Sequence, residues 1–138
     1  MLPAEDKKLK YTFKKCDRLK SSIEIETLYR ENKFIVSSPL KCYYSISEIS
    51  ENKSNICVAF TVPKKLFKHA TDRNKIKRRM REIYRLQYKN IFETFINQKD
   101  KQLKLFFIYV GREILDYESI EKKLKEILSR ITSFFLSY

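Results

Sequence analysis

Seven of the fifteen residues in "DRNKIKRRMREIYRL" (72–86) are Lys or Arg. Guanidinium and ammonium groups at that density do one kind of chemistry, which is to hold phosphates or other anions. Ile76, Met80, Ile83 and Tyr84 recur among them at helical spacing, so the charge sits on an ordered helix. Self-repulsion makes such a helix costly, and Glu82 is almost the only acid able to form i, i+4 pairs with the seven bases. A polyanionic partner explains the run better than a solvated face does.

No other residues suggest a reaction centre. His69 is the single histidine, and it falls in a basic stretch where it faces solvent or phosphate. No HExxH, paired-acid or Ser/His/Asp arrangement is present. The three cysteines, Cys16, Cys42 and Cys57, are scattered and lack CxxC spacing. They read as small apolar residues, with Cys42 and Cys57 expected on neighbouring strands, and they fit a reducing cytoplasm better than a disulfide framework or a zinc site.

The chain that carries this run has 138 residues, enough for one domain with a real core. A hydrophobic fraction of 43% argues against disorder despite 34% charged residues. No apolar stretch approaches a bilayer span, and "MLPAEDKKLK" lacks the apolar region of a secretory signal. The net charge of +13 is confined to two segments. Residues 64–89 hold eleven Lys/Arg against Asp72 and Glu82, or +9, and residues 1–20 hold seven against three, or +4. The rest of the chain sums to zero, which is the footprint expected of a polyanion-binding surface.

The elements that must position these charges follow from periodicity. Residues 1–12 are charged and expected to fray. "IEIETLYREN" predicts a short helix, capped by Ser21 or Ser22 and ended by Asn32, with Ile25, Leu28 and Tyr29 on one side. "FIVSS", "LKCYYSIS" and "NICVAFTV" predict three strands, separated by Pro39 and "ENKSN". "PKKLFKHAT" (63–71) reads as an irregular basic loop. Thr71 or Asp72 then caps a long helix running to about Asn97. "KLFFIYV" (104–110) predicts a fourth strand closed by Gly111. Ile120, Leu124, Ile127, Leu128 and Ile131 predict a terminal helix over 117–135, to which Phe134 and Phe135 add packing. The αβββαβα order specifies an α+β domain with one four-stranded, mainly antiparallel sheet packed by helices.

On the 72–97 helix, Ile76, Met80, Ile83, Tyr84, Ile91 and Phe95 fall on one arc, which packs on the sheet. Lys77, Arg81 and Arg85 form a stripe beside it, widened by Asn74 and Arg78, while Lys75 and Arg79 lie further round. A membrane-surface helix would need that apolar arc for lipid, and a basic-region DNA reader would continue into heptads that do not follow Arg85. RNA is the remaining polyanion. Tyr43 and Tyr44 are adjacent and face opposite sides of their strand, so one ring can be core while the other meets bases.

"RNKIKRRMR" (73–81) resembles the Arg-Asn-Arg-x-Lys-Arg-x-x-Arg signature of the bacterial ribonuclease P protein subunit. "RLK" at 18–20, "VPKK" at 62–65 and the element order are similar to that family too, from about Cys16 to Ile131. Three positions depart from its pattern: Lys75 stands for Arg, Pro63 for Ser, and Ile25 for an aromatic residue of the first helix. The resemblance implies a single RNA-binding domain over residues 13–138, with a flexible basic tail over 1–12. It also implies a left-handed crossover from the third strand through the basic helix to the fourth, where general rules alone favour the right-handed form.

By the same resemblance the protein is a non-catalytic subunit of an endoribonuclease whose RNA subunit, with Mg²⁺ held by RNA and substrate, removes the 5′ leader of precursor tRNA. No Mg²⁺ is then held by protein side chains alone. Carried over by position, Lys64, Lys65, Arg73, Asn74, Lys75, Lys77, Arg78 and Arg81 contact the catalytic RNA, together with Arg18 and Lys20. Ile25, Tyr29 and Tyr44 line a leader cleft between the first helix and the sheet. The partners are therefore the catalytic RNA and the leader, with neither a membrane nor an obligate protein partner. Two other classes fit less well. A ribosomal-type RNA-binding protein shares the electrostatics without the tRNA-processing role, and a stand-alone metal-dependent nuclease needs clustered acids that the basic segments lack.

Overall fold

A computed structural model describes residues 22–48, 56–95 and 101–136, with the side chains of 22, 88–95 and 135–136 left undescribed. Its elements are α1 (Ser22–Glu31), β1 (Phe34–Ser37), β2 (Leu40–Glu48), β3 (Ile56–Thr61), α2 (Ala70–Phe95), β4 (Lys101–Tyr109) and α3 (Tyr117–Leu136). The sheet order is β1-β2-β4-β3. β1–β2 and β2–β4 pair antiparallel, and β3–β4 pair parallel through the α2 connection. The domain is thus α+β, with a mixed sheet that is antiparallel at two of its three junctions.

Alternation along the strands sorts the sheet residues onto two faces. Leu40, Cys42, Ile56, Val58, Leu103, Leu105, Phe107 and Tyr109 point into the larger core, which α2 and α3 cover. Ile76, Met80, Ile83 and Tyr84 of α2 are fully buried there, as the helical arc requires; Ile91 and Phe95 lie outside the described side chains. Ile120, Leu124, Ile127, Leu128 and Ile131 of α3 complete the same core. Tyr43, Cys57, Phe106 and Ile108 point to the other face, where the short α1 contributes Leu28 and Ile25.

Several local details differ from the sequence-based expectation. β4 inserts between β2 and β3, so Cys42 and Cys57 are not on neighbouring strands, and they occupy opposite faces. β4 also begins at Lys101, because Gln102 and Lys101 pair with Ser47 and Glu48 of β2 and extend the ladder through polar residues. α2 begins at Ala70 instead of after Thr71 or Asp72. The carbonyl of His69 accepts from the amides of Asp72 and Arg73, which leaves Asp72 as the acid of the first turn, where the helix dipole favours it. The expected end near Asn97, the Ser21 cap, Cys16, "ENKSN" and residues 1–12 lie outside the described residues. Asn32 closes α1 with φ of 56°, the left-handed conformation that Asn tolerates, and its amide reaches the Leu28 and Tyr29 carbonyls.

Candidate nucleic-acid interface

The basic helix divides its cations into two groups. Three are committed to the fold. Arg73 Nη1 donates to the carbonyls of Phe67 (2.7 Å) and Lys68 (2.9 Å), tying the 63–69 loop to the start of α2. Arg79 donates to the carbonyl of Leu115, in the loop between β4 and α3. Arg85 pairs with Glu82, three residues back, and that hydrogen bond holds the Glu82 carboxyl below its ordinary range. Asn74, Lys75, Arg78 and Arg81 are exposed, and Lys77 is half-buried at the flank. No ion pair or side-chain hydrogen bond engages Lys75, Lys77, Arg78 or Arg81 among the described residues.

Four uncompensated cations on one helix repel each other, and nothing inside the described fold offsets that. Their placement follows from the apolar arc: with Ile76, Met80, Ile83 and Tyr84 fixed in the core, Arg78 sits opposite them and Asn74, Arg81 and Lys77 line one flank. Lys64 and Lys65 are exposed on the turn before the helix, where the amides of Leu66 and Phe67 donate to the Pro63 carbonyl. His69 is exposed on the same loop. Arg18 and Lys20 lie outside the described residues.

The second group of candidate residues is not brought together as expected. Ile25 and Tyr29 face the sheet surface under α1. Tyr44 does not. Leu40, Cys42, Tyr44 and Ile46 share one strand phase, which belongs to the larger core, and the Tyr44 ring stacks on Phe134 of α3 at 6.0 Å between centroids. Tyr43 holds the position beside Tyr29 instead. Their rings meet edge-on at 4.8 Å, and Tyr29 also meets Phe106 at 5.6 Å. The physical reason is the pleat: a shift of one residue moves a side chain to the other face.

Sequence reasoning missed the rest of this aromatic surface. Phe34 on β1 lies 5.5 Å from Tyr43, and the Lys41 ammonium sits 4.2 Å above the Phe34 ring and 4.9 Å from that of Tyr43. Tyr29, Phe34 and Val36 are 45%, 40% and 48% exposed, which is unusual for apolar side chains sharing one sheet face. The signal was present in "LKCYYSIS": its alternate apolar residues Leu40, Cys42, Tyr44 and Ile46 mark the core phase and leave Lys41 and Tyr43 on the other. Burial and the neighbouring Tyr43 raise the Tyr29 hydroxyl above its ordinary pKa, so the ring stays neutral. Glu24 of α1 pairs with Lys104 of β4 at 3.8 Å and pins the helix over this surface.

The arrangement offers exposed cations on one side of the domain and an exposed aromatic platform on the other sheet face. Among the described residues, no three His, Cys, Asp or Glu side chains converge to hold a metal ion. No helix among them is long and apolar enough to cross a membrane.

A family model described as Ribonuclease P matches residues 13–132. A ribonuclease P protein component from Porphyromonas gingivalis is 33% identical over 118 residues, spanning 85% of this chain and 84% of its own length. The component from Chlorobaculum tepidum is 39% identical over 98 residues, spanning 65% of this chain and 63% of its own. Among solved structures, the Staphylococcus aureus RNase P protein has the same fold with a TM-score of 0.66, at 19% identity over 85% of this chain and 96% of that one. The Thermotoga maritima protein gives a TM-score of 0.63 at 22% identity, over 82% and 96%.

Proposed function

The chain belongs to the ribonuclease P protein family, and from that premise we propose that it is the RNA-binding subunit of an endoribonuclease that removes 5′ leaders from precursor tRNA. The observation that carries this reading is the set of unpaired cations on α2, Lys75, Lys77, Arg78 and Arg81, on a helix whose apolar side is committed to the core. Such a helix has only its charged side left to offer, and phosphodiester oxygens are the acceptors that guanidinium and ammonium groups suit best.

In this reading the protein makes and breaks no bond. Mg²⁺, held by the RNA and the substrate, supplies the water activation and charge stabilisation of phosphodiester hydrolysis. Arg78, Arg81, Lys77, Lys75 and Asn74 dock the catalytic RNA, with Lys64 and Lys65 on the adjoining turn. Arg73 acts by holding that turn in place. The leader lies on the opposite sheet face, where Tyr29, Tyr43 and Phe34 offer rings to its bases and Lys41 a cation to its phosphates. Stacking tolerates every base because each has a π-face, so this platform suits leaders of varied sequence. Ile25 adds apolar contact there without an aromatic ring.

The test is reconstitution. Purified protein added to a ribonuclease P RNA from the same cell should raise precursor-tRNA cleavage at low Mg²⁺, whereas the protein alone should cut nothing. Cleavage at the mature 5′ end by protein without RNA, or no effect of the protein on the RNA's activity, would refute the proposal.

A further inference from the structure

Arg112 lies far in sequence from both basic segments, yet the fold sets it beside one of them. It follows β4, while Lys65 follows β3, and these two strands run parallel, so both loops leave the same end of the sheet. Lys65, Leu66 and Arg112 line one open depression of about 390 Å³. Both cationic residues are exposed, and neither has an ion-pair partner among the described residues.

Both loops are held firmly, and from several directions. The 63–69 turn is closed by the Pro63 carbonyl and tied to α2 by Arg73. On the other side, the Val110 amide donates to the Pro39 carbonyl at 2.7 Å. Gly111 packs so closely that a Cβ there would lie 2.6 Å from the Cβ of Pro39, which leaves room for glycine alone. The Tyr109 hydroxyl donates to the Glu113 carbonyl at 2.6 Å and accepts from the Leu115 amide at 3.1 Å. Arg79 bonds the Leu115 carbonyl, and Asp116 accepts from the Ser119 amide at the start of α3. Two arginines of the basic helix thus hold the two loops that carry Lys65 and Arg112.

We propose that Lys65 and Arg112 form a two-pronged site for a backbone phosphate of the catalytic RNA, additional to the contacts of the basic helix. The proposal rests on the functional reading above. The catalytic RNA is the source because Lys65 adjoins Lys64 and the start of α2, so an RNA docked on that helix continues into the depression. Preorganised loops reduce the ordering that binding would otherwise require. Arg79 is a positioning residue in this scheme, acting through the 110–116 loop.

The experiment measures the affinity of the full chain for its ribonuclease P RNA across a salt series, and separately the affinity of the holoenzyme for precursor tRNA. Arg112→Ala should raise the RNA Kd about 3- to 10-fold near physiological salt and lower the log–log salt slope by about one unit. Arg112→Lys should restore most of the slope, and the melting temperature should not move in either variant. Precursor affinity of the assembled holoenzyme should be unchanged. An unchanged slope with Arg112→Ala, while Arg78→Ala lowers it, overturns the site and leaves the function intact. Loss of precursor affinity without loss of RNA assembly overturns it in favour of a substrate contact. If neither Arg78→Ala nor Arg112→Ala changes the slope, the functional reading itself fails.

Discussion

Truncating Tyr44 and Tyr29 separately decides which sheet face takes the leader. The Tyr44 ring is partly buried against the main core and lies nearly parallel to Phe134, with an interplanar angle of 20°. Removing a fully buried aromatic ring costs about 3–5 kcal/mol, so this half-covered one costs about 2. A stacked pair accounts for about 0.5–1.5 kcal/mol of that. For a domain of this length, such a loss lowers the melting temperature by about 6–8 °C. Leader binding should be untouched, because the Tyr44 ring lies on the sheet face opposite the platform.

Tyr29→Ala should behave the opposite way. Its ring is 45% exposed and keeps only edge contacts with Tyr43 and Phe106, so stability falls by about 1 kcal/mol or less. A base stacked on it contributes about 1–3 kcal/mol, which corresponds to about a 5- to 150-fold loss of precursor affinity. The assay pairs binding constants of the reconstituted holoenzyme for precursor and mature tRNA with a melting curve for each variant. Leaders shortened one nucleotide at a time locate the contact. If Tyr44→Ala abolishes discrimination at 25 °C while the protein is folded, and Tyr29→Ala preserves it, the faces have been assigned the wrong way round.

The salt dependence of assembly should reflect the unpaired cations, not all the bases in the run: Lys64, Lys65, Lys75, Lys77, Arg78, Arg81 and Arg112 give a log–log slope of about 5–6, and a near-flat titration would refute the docking surface. Arg73→Ala should lose both carbonyl bonds and about 1–2 kcal/mol of stability, whereas Arg78→Ala should weaken assembly with no change in melting; equal melting losses would show that Arg73 is not a brace. Burial pushes the Cys42 thiol well above its ordinary pKa, so the folded state holds that proton more tightly than the unfolded chain. The associated stability is complete below the ordinary thiol range and declines as pH rises through and beyond about 9. In a Cys16→Ser background, a thiol reagent at pH 8 should label Cys42 and Cys57 only after denaturant is added, and rapid labelling of native protein would contradict their burial.

The element order, the sheet's composition and the buried arcs of α2 and α3 were legible because each depends on local periodicity. Ile76, Met80, Ile83 and Tyr84 announce their face whatever they pack against. The order of strands within the sheet was not legible, since β4 pairs with β2 across more than fifty residues of intervening chain. That insertion separates the strands of Cys42 and Cys57, and the registers that pair Cys42 with Phe107 and Cys57 with Lys104 put the two on different faces. The Tyr44 assignment failed for another reason. Leu40, Cys42 and Ile46 set the phase of β2, which puts Tyr44 on the main-core face and Tyr43 under the first helix, whereas the resemblance implies Tyr44 at that helix.

Charge density was the most informative sequence feature, and the fold divides the charges that it counts. Of the seven bases in these fifteen residues, Arg73, Arg79 and Arg85 are engaged with backbone carbonyls or with Glu82. Only tertiary structure shows this, because the carbonyls of Phe67 and Leu115 carry no sequence signature as acceptors. The division also explains why arginine, and not lysine, stands at 73 and 79. A planar guanidinium can donate to carbonyls on a neighbouring loop while its charge still faces solvent, whereas a lysine would bring a point charge and fewer fixed donors. The helix therefore uses its bases in two ways. Its outward bases, Lys75, Lys77, Arg78 and Arg81, have no ion-pair partner among the described residues, and its lateral arginines hold the loops on which Lys65 and Arg112 stand.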